Sequence, residues 1–332
     1  MTDQSDTADS TYSASRTSWL AERFNDLVAN VELFIRGKHD LVRMALVCML
    51  AEGHLLIDDV PGTGKTSLAK AISQSIDGSM RRIQFTPDLL PSDVCGVMIW
   101  NAGERQFEFH PGGVFANIVL ADEINRASPK TQSALLEVMA ERQVTVDSRP
   151  FKVDAPFIVI ATQNPVEYGG TYDLPFAQLD RFLMKTGVKY PDHASEMQIV
   201  ANVTAGKSTD QLKPVMTADQ LSEMIAIVGK VHIAEAIRSY IVTICSSTRT
   251  MPELRLGVSP RGSVQLGKAA QAYAAAAGRS FVSPDDIKAV APFVLPHRMI
   301  LRPEAELQGK SAEALLDELL MAIPAPSQRV GV

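Results

Sequence analysis

The chain has 332 residues, 46% of them hydrophobic and 21% charged, with a formal net charge of −6. This length exceeds one ordinary domain of roughly 100–200 residues and fits two, and the near-average composition excludes wholesale disorder. With no Lys/Arg cluster there is no electrostatic reason to hold a phosphate backbone, so nucleic acid is not an expected partner.

The three cysteines, Cys48, Cys95 and Cys245, lie far apart and form no CxxC pair. That spacing argues against a disulfide framework or a zinc site and makes them small buried apolar residues. No apolar run approaches the ~20 residues that a membrane-spanning helix needs, so membrane insertion is not expected. The N-terminus shows no basic segment followed by an apolar core, and a cytoplasmic protein is expected.

Residues 1–18 are Ser/Thr/Asp-rich with almost no aliphatic content, too little apolar surface to offset the entropy of ordering, which predicts a disordered tail. From Trp19 to Ala51, apolar residues recur at helical spacing with Gly37 between them. Two helices separated by a glycine turn fit this pattern. The period then changes. Short, nearly continuous apolar runs appear at HLLIDDV (54–60), RRIQFT (81–86), NIVLADE (117–123), PFIVIATQN (156–164) and FLMKTGVKY (182–190). Runs without alternation predict strands buried on both faces, as in a parallel sheet covered by helices. Helices are predicted between them at 67–76 and 129–142, the second with Ser128 as N-cap and Pro129 at its first position. Beyond about Tyr190 the pattern is helical, near 193–203, 217–229, 233–249, 260–277 and 284–296, with Ser283 capping the last. The expected organisation is a tail (1–18), an α/β core (19–190), an all-helical domain (191–322) and a flexible C-terminal tail (323–332).

Asp59, Val60, Pro61, Gly62, Thr63, Gly64, Lys65 and Thr66 follow a predicted strand and open a predicted helix. This is the context of a phosphate-binding loop, where backbone N–H groups curl around an anion and the helix N-terminus adds partial positive charge. Lys65 would meet the β- and γ-phosphates, and the Thr66 hydroxyl would ligate Mg²⁺. The strict G-x-x-x-x-G-K-[ST] pattern asks for glycine at position 59; aspartate stands there, a residue that tolerates unusual backbone dihedrals. The run NIVLADE ends in Asp122 and Glu123, which puts two carboxylates at the C-terminal edge of a strand, where ligands of open α/β sheets bind. Asp122 would hold Mg²⁺, and Glu123 would orient and polarise the attacking water. Asn164 ends the next strand, where its amide could bond both that water and the γ-phosphate; a turn-forming Asn before Pro reads equally well. Arg181 precedes the fifth strand. Arg261 lies in the first turn of a later helix, where the dipole disfavours a cation unless an anion is bound.

Three segments together resemble the MoxR family of AAA+ ATPases over about residues 28–300: QFTPDLLPSDVCG (84–96), PGGVFANIVLADEINRASPKTQSALLEVMAERQ (111–143), and ATQNP followed by LPFAQLDRFLM. The resemblance implies a five-stranded parallel sheet of order 5-1-4-3-2, a helical lid, and ATP with Mg²⁺ at the junction of neighbouring subunits in a homo-oligomeric ring, a hexamer. It implies Walker A at Gly62 to Ser67, Walker B at Asp122 and Glu123, and sensor 1 at Asn164. It further implies an arginine finger at Arg181 and sensor 2 at Arg261. Residues 97–110 read as the hairpin this clade inserts in its second helix, and a second hairpin falls at 143–153. The implied activity is ATP hydrolysis coupled to chaperone-like remodelling or assembly of a protein client, with von Willebrand A domain proteins as the family's frequent partners. Three competing readings are an ATP-binding scaffold with little hydrolysis, a nucleic-acid motor, and a magnesium-chelatase-like motor subunit. Asp59 supports the first. The second would require a basic hairpin, and 97–110 sets only Arg105 against Glu104 and Glu108.

Overall fold

The computed structural model describes residues 4–60, 62–164, 171–206 and 208–326. They divide into two compact units, Asp26–Ser222 and a second made of Met1–Asn25 with Glu223–Val332.

Helix α1 (Gln4–Glu32) is followed by α2 (His39–Leu50), strand β1 (Leu55–Asp58), α3 (Lys65–Gln74) and β2 (Ile76–Asp77). Next come β3 (Met80–Gln84), α4 (Pro91–Cys95), a hairpin of β4 (Gly96–Asn101) and β5 (Gln106–Pro111), and β6 (Ile118–Asp122). Helix α5 (Pro129–Glu141), a second hairpin of β7 (Gln143–Val146) and β8 (Arg149–Lys152), β9 (Ile158–Gln163), α6 (Phe176–Leu179) and β10 (Met184–Thr186) complete the α/β layer. Helix α7 (His193–Thr204), β11 (Met216–Thr217) and α8 (Ala218–Val228) follow.

Five strands make one parallel sheet, β10-β1-β9-β6-β3. Numbered by appearance in that sheet, the order is the expected 5-1-4-3-2. Strands β6 and β9 are buried almost throughout, which explains their unbroken apolar sequences. His54 locks the layer from one end. Its Nδ1 accepts from the Val159 amide (3.0 Å) and its Nε2 faces the Met139 carbonyl (3.1 Å), so the proton sits on Nε2. In helix α5 the Ser128 hydroxyl accepts from the Thr131 amide, the predicted cap.

Three expectations differ from the structure. Helix α1 extends back to Gln4, across most of the segment read as a disordered tail. Its second half is anchored by buried Leu20, Phe24, Leu27 and Val31, and extending an anchored helix costs far less than nucleating one. The core also runs to Ser222, beyond the expected boundary at 190. Strand β11 pairs in parallel with β2, Lys70 bridges Asp210 at 2.6 Å, and Gly37, at φ +68°, leaves no room for a Cβ beside Ser195 of α7. Lastly, Cys48 and Cys245 are buried free thiols as expected, whereas Cys95 is half-buried. Burial raises its pKa to about 11.

The second unit contains α9 (Glu235–Thr248), β12 (Leu254–Leu256), α10 (Pro260–Ala276), α11 (Pro284–Val294), β13 (Ile300–Leu301), α12 (Pro303–Leu307) and α13 (Ala312–Ala322). It is helical apart from the bulged antiparallel ribbon of β12 and β13. Ser283 and Asp286 form a reciprocal capping box at the start of α11, and Arg279 grips the buried Asp286 carboxylate with both terminal nitrogens. Of the C-terminal segment read as flexible, residues 327–332 lie outside the described residues.

Candidate nucleotide site

The parallel sheet delivers the candidate residues to one edge, because Asp58, Gln84, Asp122, Gln163 and Thr186 end their strands on the same side. From Asp58 the chain turns through 59–64 into α3, whose N-cap is Gly64 in the left-handed region. Gly62 (φ +80°) and Gly64 (φ +92°) need that freedom, and no atom lies within 4 Å of where either Cβ would stand. Pro61 lies outside the described residues. The Thr63 hydroxyl closes the turn on the Val60 carbonyl (3.2 Å). Thr66 and Ser67 sit in the first turn of α3.

Asp59 departs from its expected role. It is absent from the residues with positive φ, so its dihedral tolerance is not what the loop uses. Its carboxylate works as a tether instead. One oxygen accepts from the Val60 amide (2.7 Å) and the other from the Lys189 amide beyond β10. Beside it, Asp58 bridges Lys185 of β10 at 2.7 Å. Two consecutive acids thus pin the loop to the edge strand, turned towards β10.

The Lys65 ammonium donates to the carbonyls of Asp59 and Gln163 (2.9 Å to the latter). Burial lowers its pKa, against the opposing pull of Asp59, Asp58, Asp122 and Glu123. A lysine held in that balance suits a neighbouring polyanion.

Asp122 is 5% exposed. The Thr66 hydroxyl lies 3.2 Å from its Oδ2, the Thr162 hydroxyl donates to Oδ1 (2.6 Å), and Arg82 donates to Oδ2 from Nη2 (2.7 Å) and Nε (3.2 Å). A hydroxyl and a buried carboxylate converging beside an open glycine loop form a hard oxygen donor set, so these residues fit a Mg²⁺–nucleotide complex. Glu123 follows in a left-handed conformation (φ 57°), held by its amide bond to Thr162 Oγ1 (2.9 Å). A non-glycine residue there costs roughly 1–2 kcal/mol, and such strain concentrates at functional sites. Its Oε2 accepts from Gln84 (2.8 Å) and from Arg126 (3.1 Å).

Asn164 comes directly after β9 and is buried, its backbone clamped by the Asn125 amide. Arg181 stands three residues before β10, and its guanidinium donates to the Leu136 carbonyl of α5. Among the described residues it forms no hydrogen bond or ion pair with the phosphate loop. Arg261 is in the first turn of α10, in the other compact unit. The structure therefore gathers Asp59, Val60, Gly62 to Ser67, Asp122, Glu123 and Asn164 at one sheet edge, and Arg181 is bonded to α5 instead.

Arg82, Gln84, Arg126 and Thr162 were missed. Gln84 joins the two acids: its Oε1 accepts from Arg82 (2.7 Å) and its Nε2 donates to Glu123. Arg82 and Gln84 alternate with buried Ile83 on an edge strand, a pattern that reads as a solvated face. The available signal was register, since a polar i, i+2 pair beside a strand ending in two acids falls next to them.

A parallel sheet in this order, with a glycine loop after its first strand, two acids at the end of its third and a largely helical second unit, defines a AAA+ ATPase core with its lid. Residues 54–184 match the family described as "ATPase family associated with various cellular activities (AAA)", and residues 246–319 match the AAA lid domain. The chain is 50% identical to YeaC of Bacillus subtilis (strain 168), named as uncharacterized, over 92% of this chain and 95% of that protein. It is 38% identical to Chaperone MoxR1 of Mycobacterium tuberculosis, over 90% and 81% of the two chains. A crystal structure of a candidate ATPase from Cytophaga hutchinsonii superimposes with a TM-score of 0.89 at 35% identity, covering 96% and 99%. The chain belongs to the MoxR family of AAA+ ATPases.

Proposed function

We propose that the protein is a Mg²⁺-dependent ATPase that works in the cytoplasm as a homo-oligomeric ring, a hexamer, and remodels or assembles a protein client. The observation that carries this reading is the convergence of Lys65, Thr66, Asp122 and Glu123 around an open glycine loop at the C-terminal edge of a parallel sheet.

In this mechanism the amides of residues 62–66 and the helix N-terminus bind the phosphates, and the Lys65 ammonium leaves its carbonyl acceptors for the β- and γ-phosphate oxygens. Mg²⁺, held through Thr66 and Asp122, would neutralise charge on those oxygens. Glu123 turns from Gln84 and Arg126 to orient the attacking water and take its proton. Asn164 positions the water against the γ-phosphate. Arg181, released from the Leu136 carbonyl, serves the ATP of the adjacent subunit, and Arg261 contributes from the lid. The chaperone name of the Mycobacterium relative supports the client-remodelling reading, and a von Willebrand A domain protein is the proposed client class. No helix among the described residues is long and apolar enough to cross a membrane.

Phosphate release from purified protein with ATP and Mg²⁺ tests the chemistry. Glu123→Gln should retain nucleotide binding and lose about 10²-fold or more in turnover, whereas Lys65→Ala should lose binding. Wild-type turnover in Glu123→Gln would make the catalytic assignment wrong.

A further inference from the structure

We infer that Arg82 is a built-in counter-ion that holds the place of the divalent cation on Asp122 and must leave before the metal–nucleotide complex can seat. This rests on the reading of Thr66 and Asp122 as metal ligands and adds a residue that opposes them.

The geometry counts out the room on Asp122. A carboxylate offers about four lone-pair positions, two on each oxygen. Oδ1 accepts the Thr162 hydroxyl at 2.6 Å, and Oδ2 accepts two N–H groups of Arg82 at 2.7 and 3.2 Å. The Thr66 hydroxyl adds contacts at 3.2 Å to Oδ2 and 3.4 Å to Oδ1. The fixed partner on Oδ1 comes from the neighbouring strand β9, and Oδ2, the oxygen nearer Thr66, carries the cation. A second cation approaching both Thr66 and Asp122 therefore meets a guanidinium already bonded to the oxygen it needs.

The two side chains differ in freedom. The Asp122 side chain is 8% exposed and enclosed between β3 and β9, so it cannot follow a departing partner. The Arg82 side chain is 54% exposed on the sheet's edge strand and has water to move into. Without a metal, Arg82 neutralises a buried carboxylate that would otherwise be costly. With one, repulsion between the two cations and the shared oxygen favour its exit. Arg82 thus stabilises the nucleotide-free chain at the expense of metal affinity.

An arginine that instead stayed to hold phosphate would strengthen binding, so the two roles predict opposite signs. The 332-residue chain is titrated with a fluorescent ADP in saturating Mg²⁺ and again in EDTA, and the ratio of the two affinities reports the metal's contribution. Displacement predicts a ratio about three- to tenfold larger in Arg82→Gln than in wild type, the size expected for a half-exposed charge-assisted pair. Arg82→Lys should fall between them, and Arg81→Gln, on the other face of β3, should match wild type. An unchanged or smaller ratio in Arg82→Gln would overturn the inference. If that variant does not fold, Arg82→Lys decides by the same ratio: a rise upholds displacement and no rise overturns it. A wild-type chain that binds ADP equally in Mg²⁺ and EDTA would sink the metal reading itself and this inference with it.

Discussion

Replacing Asp59 by glycine restores the strict phosphate-loop pattern, and the structure predicts that the result is a weaker protein rather than a tighter nucleotide binder. The carboxylate accepts from two backbone amides, Val60 and Lys189, and the second bond ties the loop to the segment after β10. Hydrogen bonds to a charged acceptor contribute about 1.5–3 kcal/mol each when buried; Asp59 is half-exposed, so roughly 1 kcal/mol per bond is the appropriate scale. Glycine adds about 0.5–1 kcal/mol of backbone entropy lost on folding. The sum, about 2.5–3 kcal/mol, corresponds to a fall in Tm of about 5–12 °C for a unit of this size, measurable by calorimetry on nucleotide-free protein. ATP affinity should stay level or fall as the loop loosens, because the carboxylate is turned towards β10. An unchanged melting temperature together with a tenfold gain in ATP affinity would show that Asp59 faces the ligand, and would favour the scaffold reading.

Lys65 gives the site a pH dependence. A lysine whose folded pKa lies below its unfolded value binds fewer protons when folded, so nucleotide-free stability rises with pH across the window between the two values. A bound polyphosphate favours the charged ammonium, so ADP affinity should fall as pH climbs through the lowered pKa, and Lys65→Arg, which stays charged, should show a flatter decline; equal slopes would remove Lys65 as the responsible group. In the second unit, Asp286→Ala strips the N-cap partner from α11 and leaves Arg279 without its carboxylate. A loss of about 2–3 kcal/mol in urea unfolding is expected, and a loss below about 0.5 kcal/mol would show that the box is ornamental to that helix.

The strands and both acids were legible because a parallel strand buried on two faces leaves an unbroken apolar run, and the run at 117–123 ended in two carboxylates; the strand order came from the resemblance to the MoxR family. Ser128 and Ser283 were legible as caps for the same local reason, a short polar side chain before proline and a helical period. What stayed hidden depends on distant partners. Nothing in MRRIQ says that Arg82 and Gln84 reach Asp122 and Glu123, since their address is set by the pairing of β3 with β6. The two-residue pairing of β2 with β11, which keeps residues up to Ser222 in the core, is too short to leave a pattern. Asp59 stands out as an exception that backbone tolerance would explain, whereas its carboxylate tethers the loop to the segment after β10, 130 residues later.

In the proposed mechanism ATP is hydrolysed at a site shared by two copies of the chain, Glu123 from one and Arg181 from the next. Mixing Arg181→Ala subunits with Glu123→Gln subunits, each inactive alone, under conditions that exchange subunits within rings tests it directly through phosphate release. Activity should return, because some interfaces then pair an intact Glu123 with an intact Arg181, and an arginine supplied in trans contributes about 10³–10⁵ in turnover in related NTPases. If no mixing ratio restores hydrolysis although mixed rings are shown to form, Arg181 acts within its own subunit, where it already donates to Leu136, and the shared site must be abandoned.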